Sequence, residues 1–265
     1  MLQNKFDDTE KQQETMTDFK NKIALVTGAA TGIGRATAIL LAAKGAKVMV
    51  TDVNETEGRN TVKLIKEQGG QAVFHHLDVS NKTQVDEVTA AIVASEGSLD
   101  LAVNNAGIGG KVAPLHELPL EDWNKMMDIN LSGVFYCMQA QIKVMLAQGS
   151  GRMVNVSSLA GVGGMSRGSS YSAAKHGVIG LSKSAALEYG RANIRINVVC
   201  PGFTETAIID QVPDKVLDFT VKTRVPLKRL GKPEEIAKGI AWLLSDDSSF
   251  VTGHSMFLDG GMKAG

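Results

Sequence analysis

The sequence predicts an α/β fold: a doubly wound parallel β-sheet of about seven strands, with helices on both faces. Three observations carry this. Short apolar runs rich in β-branched residues recur along the chain, and helical patterns separate most of them. The runs are continuously apolar rather than alternating, which suits strands covered on both faces. The first run leads at once into a glycine-rich turn and a helical pattern, the order of a strand–turn–helix unit.

The strand candidates are IALVT (23–27), KVMVT (47–51), QAVFHH (71–76), LDLAV (99–103), RMVNVS (152–157), IRINVV (194–199) and SMFL (255–258). Between them, residues 34–44 are rich in alanine and leucine. Val62 and Ile65 share a face of 55–68, and Val85, Val88 and Ile92 share a face of 84–94. A longer pattern through Trp123, Met127, Leu131, Val134 and Met138 predicts one helix over 121–148. Helical patterns also cover 171–190 and 233–244. There is no second core and no long linker, so residues 18–265 read as one domain. Residues 1–17 are polar and without apolar period. They read as a disordered tail, not a secretory signal, and Met16 is an alternative start to Met1.

Of the 265 residues 43% are apolar, enough for one sizeable core, and 28 basic residues balance 28 acidic ones. That balance argues against a nucleic-acid partner or an anionic membrane surface. No apolar run approaches the ~18 residues a membrane span needs. Cys137 and Cys200 lie in apolar contexts and read as buried free thiols of a reducing, cytoplasmic compartment. The five histidines are scattered or, at His75 and His76, adjacent, so no metal site is expected.

After the first strand comes TGAATGIG, with Gly28, Gly32 and Gly34. Glycines there let the backbone approach a pyrophosphate, and a helix start offers it free N–H groups. The spacing is GxxxGxG rather than GxGxxG, and no GK[ST] follows. The second strand ends in TDV. Asp52 lies eighteen residues beyond Gly34, close to the ~20 expected of a carboxylate that holds an adenosine ribose. YSAAK (171–175) places Tyr171 and Lys175 on one helix face, just over one turn apart. A phenol titrates at about 10, and a neighbouring ammonium favours its ionised form, so the pair suits a general base.

Taken together these residues resemble the short-chain dehydrogenase/reductase family, in its single-domain branch of about 250 residues, from about Lys20 to the C-terminus. TGAATGIG is similar to that family's TGxxxGxG loop, which would bring Gly28, Thr31, Gly32, Ile33 and Gly34 to the cofactor. LDVS (77–80) would set Asp78 and Val79 by the adenine, and NNAG (104–107), with Asn105, resembles the segment that stabilises the central strand. CPG (200–202) would place Pro201 and Gly202, and after them Thr204 and Thr206, beside the nicotinamide. MDIN (127–130) supplies Asn130, and NVSS (155–158) a serine. Ser158 lies thirteen residues before Tyr171, the family spacing, which leaves Ser157 a structural part.

The resemblance implies a Rossmann-type fold and a catalytic tetrad of Asn130, Ser158, Tyr171 and Lys175. Tyr171 would exchange a proton with the substrate oxygen, and Ser158 would steady that oxygen. Lys175 would lower the tyrosine pKa and hold the nicotinamide ribose. Asn130 would position a water relaying protons from Lys175 to solvent. Tyr171 and Lys175 thus count among the cofactor-binding residues too. Asp52 favours NAD over NADP, because the basic residues of NADP-preferring relatives are replaced by Thr31 and Val53; Arg35 is the one cation near a 2′-phosphate.

Residues 203–225 read as a substrate lid, with Phe203, Ile208, Ile209, Val212, Val216, Leu217 and Phe219 apolar. SLAGVGGM (158–165) would form the opposite wall, and Arg167 is the one cation near it. A neutral, cyclic secondary alcohol or ketone fits best. The long helix and the tail VTGHSMFLDGGMKAG suggest a homotetramer, as in relatives. The alternatives are a 3-oxoacyl carrier-protein reductase, a nucleotide-sensing binding protein of the same fold and a sugar-nucleotide epimerase. The intact tetrad speaks against the second, and the glycine spacing and short C-terminus against the third.

Overall fold

The computed structural model describes residues 18–209 and 212–264. The tail expected over residues 1–17 lies outside the described residues. Seven strands form one sheet: β1 (Ile23–Thr27), β2 (Lys47–Asp52), β3 (Gln71–His76), β4 (Leu101–Asn104), β5 (Gly151–Val156), β6 (Ile194–Pro201) and β7 (Ser255–Leu258). Their order is β3-β2-β1-β4-β5-β6-β7, and every pair is parallel.

Helices α1 (Gly32–Ala43), α2 (Glu55–Glu67), α3 (Lys82–Glu96), α4 (Leu120–Met127), α5 (Gly133–Gln148), α6 (Ser169–Tyr189), α7 (Asp214–Arg224) and α8 (Pro233–Leu244) connect and follow the strands. The sequence names their starts: Asn54 and Asn81 accept hydrogen bonds from Glu57 N and Gln84 N, capping α2 and α3. Pro233 opens α8, where its missing N–H leaves nothing unpaired.

Alternation along the strands divides the core. On β1, Ala24 and Val26 join α1 and α8 through Leu41, Ile236 and Ile240. Ile23 and Leu25 point the other way, to Ile92 of α3. On β4, Leu101 and Val103 belong to the first layer and Ala102 to the second, where Val134, Met138 and Val178 of α5 and α6 pack. All five residues of β1 are therefore buried, which is why its sequence is apolar without alternation.

The chain departs from expectation between 121 and 148. The helix runs through without interruption, but as α4 and α5 joined by a widened, π-helical turn at Asp128–Ser132. Asn130 sits in that turn, fully buried. Its Oδ1 accepts from Ile108 N and its Nδ2 donates to Ile108 O, each at 2.9 Å. A buried carboxamide needs such partners, and reaching them is what the widened turn provides.

Strand order reverses between β1 and β4. The chain leaves β1 towards β2 and β3 on one side and returns to β4 on the other. Loops diverge from that point at the carboxyl ends of the strands, and the crevice they leave is where an open α/β sheet holds its ligand.

Candidate active site

Gly28 and Gly32 take left-handed backbone angles, φ 63° and 53°, which other residues adopt at a cost. Gly34, in the first turn of α1, is needed for space. A Cβ there would lie 2.1 Å from Gly28 O and 2.6 Å from Asn105 Nδ2. Asn105 braces the loop, donating from Nδ2 to Thr27 O and Gly28 O at 3.0 Å each. Thr31, at the N-cap of α1, makes no side-chain cap bond, and no acidic residue lies in the first turn. The helix start is left open to an anion. Ile33 packs against the core.

Asp52 closes β2 beside this loop. Its Oδ2 accepts from Ala30 N at 3.0 Å and its Oδ1 from Asn54 N at 2.9 Å. Arg35 is committed elsewhere: its guanidinium bonds Glu57 Oε2 at 2.5 Å and Thr61 Oγ1 at 3.0 Å, and it holds the Glu57 carboxyl below its ordinary value. Asp78 turns its Oδ1 to Ser80 N and Ser80 Oγ, at 2.9 and 2.6 Å. Val79 is buried with Leu77 and Val85, its side chain against Gly133. Only its main chain is left to face a ligand.

The proton-handling groups come from β5 and α6. Ser158 follows β5, and its Oγ accepts from Ala160 N at 3.1 Å. Tyr171 and Lys175 occupy the first two turns of α6, with Lys175 Nζ 5.8 Å from the Tyr171 ring centre. Lys175 is buried, and Nζ donates to Val156 O at 2.9 Å. A Cβ on Gly107 would meet both Asn130 Oδ1, at 3.2 Å, and Lys175 Nζ, at 3.6 Å. The structure thus brings all four residues of the expected tetrad to one end of the sheet. Ser157 faces the other way, its Oγ donating to Lys175 O at 2.8 Å.

Charge in the cluster differs from the sequence expectation. Burial pushes the Tyr171 phenol up, and the opposing pull comes from hydrogen bonding with Ser158, not from Lys175. Burial also pushes Lys175 down to about 8. The neighbouring Cys200 thiol is pushed up to about 11 by burial, and both cysteines are free and buried.

Pro201 ends β6, buried, and a Cβ on Gly202 would lie 2.8 Å from Asp259 Cα. Thr204 Oγ1 donates to Gly202 O at 3.1 Å, and Thr206 Oγ1 to Thr204 O at 3.3 Å. The Thr206 methyl would touch a Cβ on Gly32 at 3.2 Å, so the segment after β6 folds back over the glycine loop. Beyond it, α7 leaves Val216 and Phe219 exposed and buries Val221. Asp210 and Gln211, within the expected lid, lie outside the described residues.

Sequence reasoning missed two supports of the site. A buried chain of amides links Gln141, Asn104 and Asn155 at 2.8–3.0 Å, and Asn155 donates on to Ser182 Oγ. The turn at Asp259 packs on the end of β6. Neither has a local signal, because the partners lie tens of residues apart. Among the described residues, no three His, Cys, Asp or Glu side chains gather to hold a metal, and no helix is long and apolar enough to cross a membrane.

Comparison with known proteins agrees with this geometry. A family model described as enoyl-(acyl carrier protein) reductase matches residues 28–263. The cyclohexanol dehydrogenase of Acinetobacter sp. (strain SE19) is 44% identical over 242 residues, 91% of this chain and 95% of that protein. A 3-oxoacyl-[acyl-carrier-protein] reductase of Thermotoga maritima is 41% identical over 243 residues, covering 92% of this chain and 98% of its own. The crystal structure of levodione reductase superposes with a TM-score of 0.90 at 38% identity, over 93% of this chain and 99% of that one.

These matches define an oxidoreductase that acts on alcohol or ketone groups. The chain belongs to the short-chain dehydrogenase/reductase family, in its single-domain form. The family implies a nicotinamide cofactor. The residues fit one: the glycine cradle leaves backbone free where Cβ atoms would stand, and a carboxylate closes the neighbouring strand.

Proposed function

We propose that the protein interconverts a cyclic secondary alcohol and its ketone, with NAD as the cofactor. The observation that carries this is the grouping of Ser158, Tyr171 and Lys175 at the carboxyl end of the sheet, beside the glycine cradle. Identity to a cyclohexanol dehydrogenase supports the cyclic substrate.

In this reading Gly28, Thr31, Gly32, Ile33 and Gly34 hold the pyrophosphate, Asp52 the adenosine ribose, and the main chain at Asp78 and Val79 the adenine. Pro201, Gly202, Thr204 and Thr206 border the nicotinamide. Asn105 serves the cofactor through the loop it braces. The bound nicotinamide supplies hydride acceptance and donation at the reacting carbon. The chain handles the proton. Tyr171 Oη takes it from the alcohol during oxidation and returns it to the oxygen during reduction. Ser158 Oγ holds the same oxygen and eases ionisation of the phenol. Lys175, with its ammonium beside the ring, orients the ribose and adds positive charge. Asn130 already spends its amide on Ile108, so its part is to fix the main chain beside Lys175, where a relay water would sit.

NAD is preferred because Asp52 repels a 2′-phosphate, while Arg35 is held by Glu57 and Thr61. Asp52→Ala should weaken NAD and narrow the gap to NADP in a fluorescence titration. We assign the enzyme to the cytoplasm and to a homotetramer; light scattering that finds a monomer at micromolar concentration would overturn the latter.

A screen following the absorbance of reduced nicotinamide tests the whole reading. Turnover of cyclic secondary alcohols with NAD is expected. The second reading, a 3-oxoacyl carrier-protein reductase, is favoured by the Thermotoga relative. Turnover of a 3-oxoacyl thioester with NADPH, and of no cyclic alcohol, would replace the first reading with the second.

A further inference from the structure

The wall after Ser158 is made of small residues, and the sequence places only Arg167 near it as a cation. The fold brings a second cation from the far end of the chain. A Cβ on Gly163 would lie 3.3 Å from Lys263 Nζ and 3.8 Å from Lys263 Cε. A β-methyl there would crowd the end of the Lys263 side chain, which would have to give by a few tenths of an ångström. Gly163 lies two residues beyond the short turn Leu159–Gly161 that Ser158 caps.

Lys263 is held there by its backbone. Asp259 Oδ2 accepts from Lys263 N and Oδ1 from Gly261 N, each at 2.9 Å. The same Asp259 packs its Cα against Gly202 at the end of β6. The turn 259–263 therefore runs from the strand end assigned to the nicotinamide side to the wall beyond the serine. Among the described residues, Lys263 Nζ has no carboxylate within salt-bridge distance and no hydrogen-bond acceptor, whereas many other lysines, such as Lys22, Lys47 and Lys222, have found acids.

An ammonium is a donor only, with three N–H groups to place. Lys263 is exposed, so water fills those three places beside the glycine wall until a ligand oxygen takes one of them. We propose that Lys263 binds a second oxygen acceptor on the substrate, across the ring from the carbon whose oxygen meets Ser158 and Tyr171. This rests on the function proposed above and narrows its substrate class to cyclic alcohols and ketones that carry a further carbonyl or carboxylate oxygen.

The test compares three cyclohexanols with the purified enzyme: the unsubstituted ring, a ring with a ketone opposite the hydroxyl, and a ring with a carboxylate opposite it. The second oxygen should raise kcat/KM by about tenfold, mostly through KM, since a bound charged donor contributes on that scale. The ketone and carboxylate arms tell which oxygen it takes. Lys263→Met should reduce the ratio to near one, and Lys263→Arg should restore it. Gly163→Ala, which crowds the ammonium, should lower it in part. Equal kcat/KM for all three rings, or a preference that survives Lys263→Met, overturns the proposal while leaving the proposed function standing. Turnover of none of the rings overturns both.

Discussion

Ser157 Oγ donates a 2.8 Å hydrogen bond to the carbonyl oxygen of Lys175. It ties the end of β5 to the second turn of α6, and Lys175 Nζ returns a bond to Val156 O on the same strand. Gly161 is packed into this junction, since a Cβ there would lie 2.4 Å from Ser157 Oγ. The paired serines thus divide the work. Ser157 fixes strand to helix, and Ser158, its neighbour, is left facing Tyr171. Ser157→Ala should therefore reduce activity through misplacement of Lys175.

Tyr171→Phe removes only a hydroxyl, so folding and cofactor binding should persist while turnover falls by about 10²–10⁴. Alcohol oxidation needs the ionised phenol. It should speed up as pH rises through the Tyr171 pKa, which burial places above the ordinary phenol value, and ketone reduction should slow over the same range. Ser158 pulls that pKa down, so Ser158→Ala should move the oxidation limb to higher pH. A limb that stays in place in a pH–rate profile of the Ser158 variant would contradict this assignment.

Lys175 lowers stability at neutral pH. Its folded pKa is about 8 against an ordinary value of 10.5. Below about 8 both folded and unfolded chains carry the proton, and the folded state bears the full penalty of a buried ammonium. Between the two values the unfolded chain binds the additional proton, so this group's contribution makes stability rise with pH across that window. Lys175→Met should raise stability at pH 7 by about 1–3 kcal/mol, less the lost bond to Val156 O, and flatten that rise. It should also abolish turnover. Thermal melts at several pH values measure the first effect, and an unchanged slope would count against it.

Gly34→Ala adds a methyl where Gly28 O and Asn105 Nδ2 already stand. The loop has to move, at about 1–3 kcal/mol. Calorimetry should show the lower melting temperature, and a fluorescence titration a loss of about tenfold or more in cofactor affinity. Wild-type affinity in this variant would mean that the loop does not carry the pyrophosphate.

Gln141→Leu tests the buried amide chain. Asn104 Oδ1, buried in the core, loses the donor it has at 2.9 Å. A loss of about 3 kcal/mol is expected, read as the midpoint shift in urea. The same variant should alter KM for the cofactor little, because Asn105 keeps its own bonds to the loop.

Much was settled along the chain itself. The seven strands fall within two residues of the runs that predict them; for the inner strands β1, β4, β5 and β6 this is because a strand buried on both faces has to be largely apolar, and that shows in a single segment. The glycine spacing and the i,i+4 pair of Tyr171 and Lys175 are local for the same reason: one turn of backbone sets them. What the sequence could not fix is whatever depends on distant segments meeting. The helix over 121–148 widens to a π turn where Asn130 meets Ile108, twenty-two residues away in sequence. Tyr171 is pushed up rather than down because burial, which only the packed fold creates, outweighs its neighbours. Lys263 stands by Gly163, a hundred residues earlier, because β7 pairs with β6 and Asp259 turns the chain at its end. Periodicity and motifs record the forces within an element. Desolvation and charge placement belong to the space between elements, and they exist only once the chain has closed on itself.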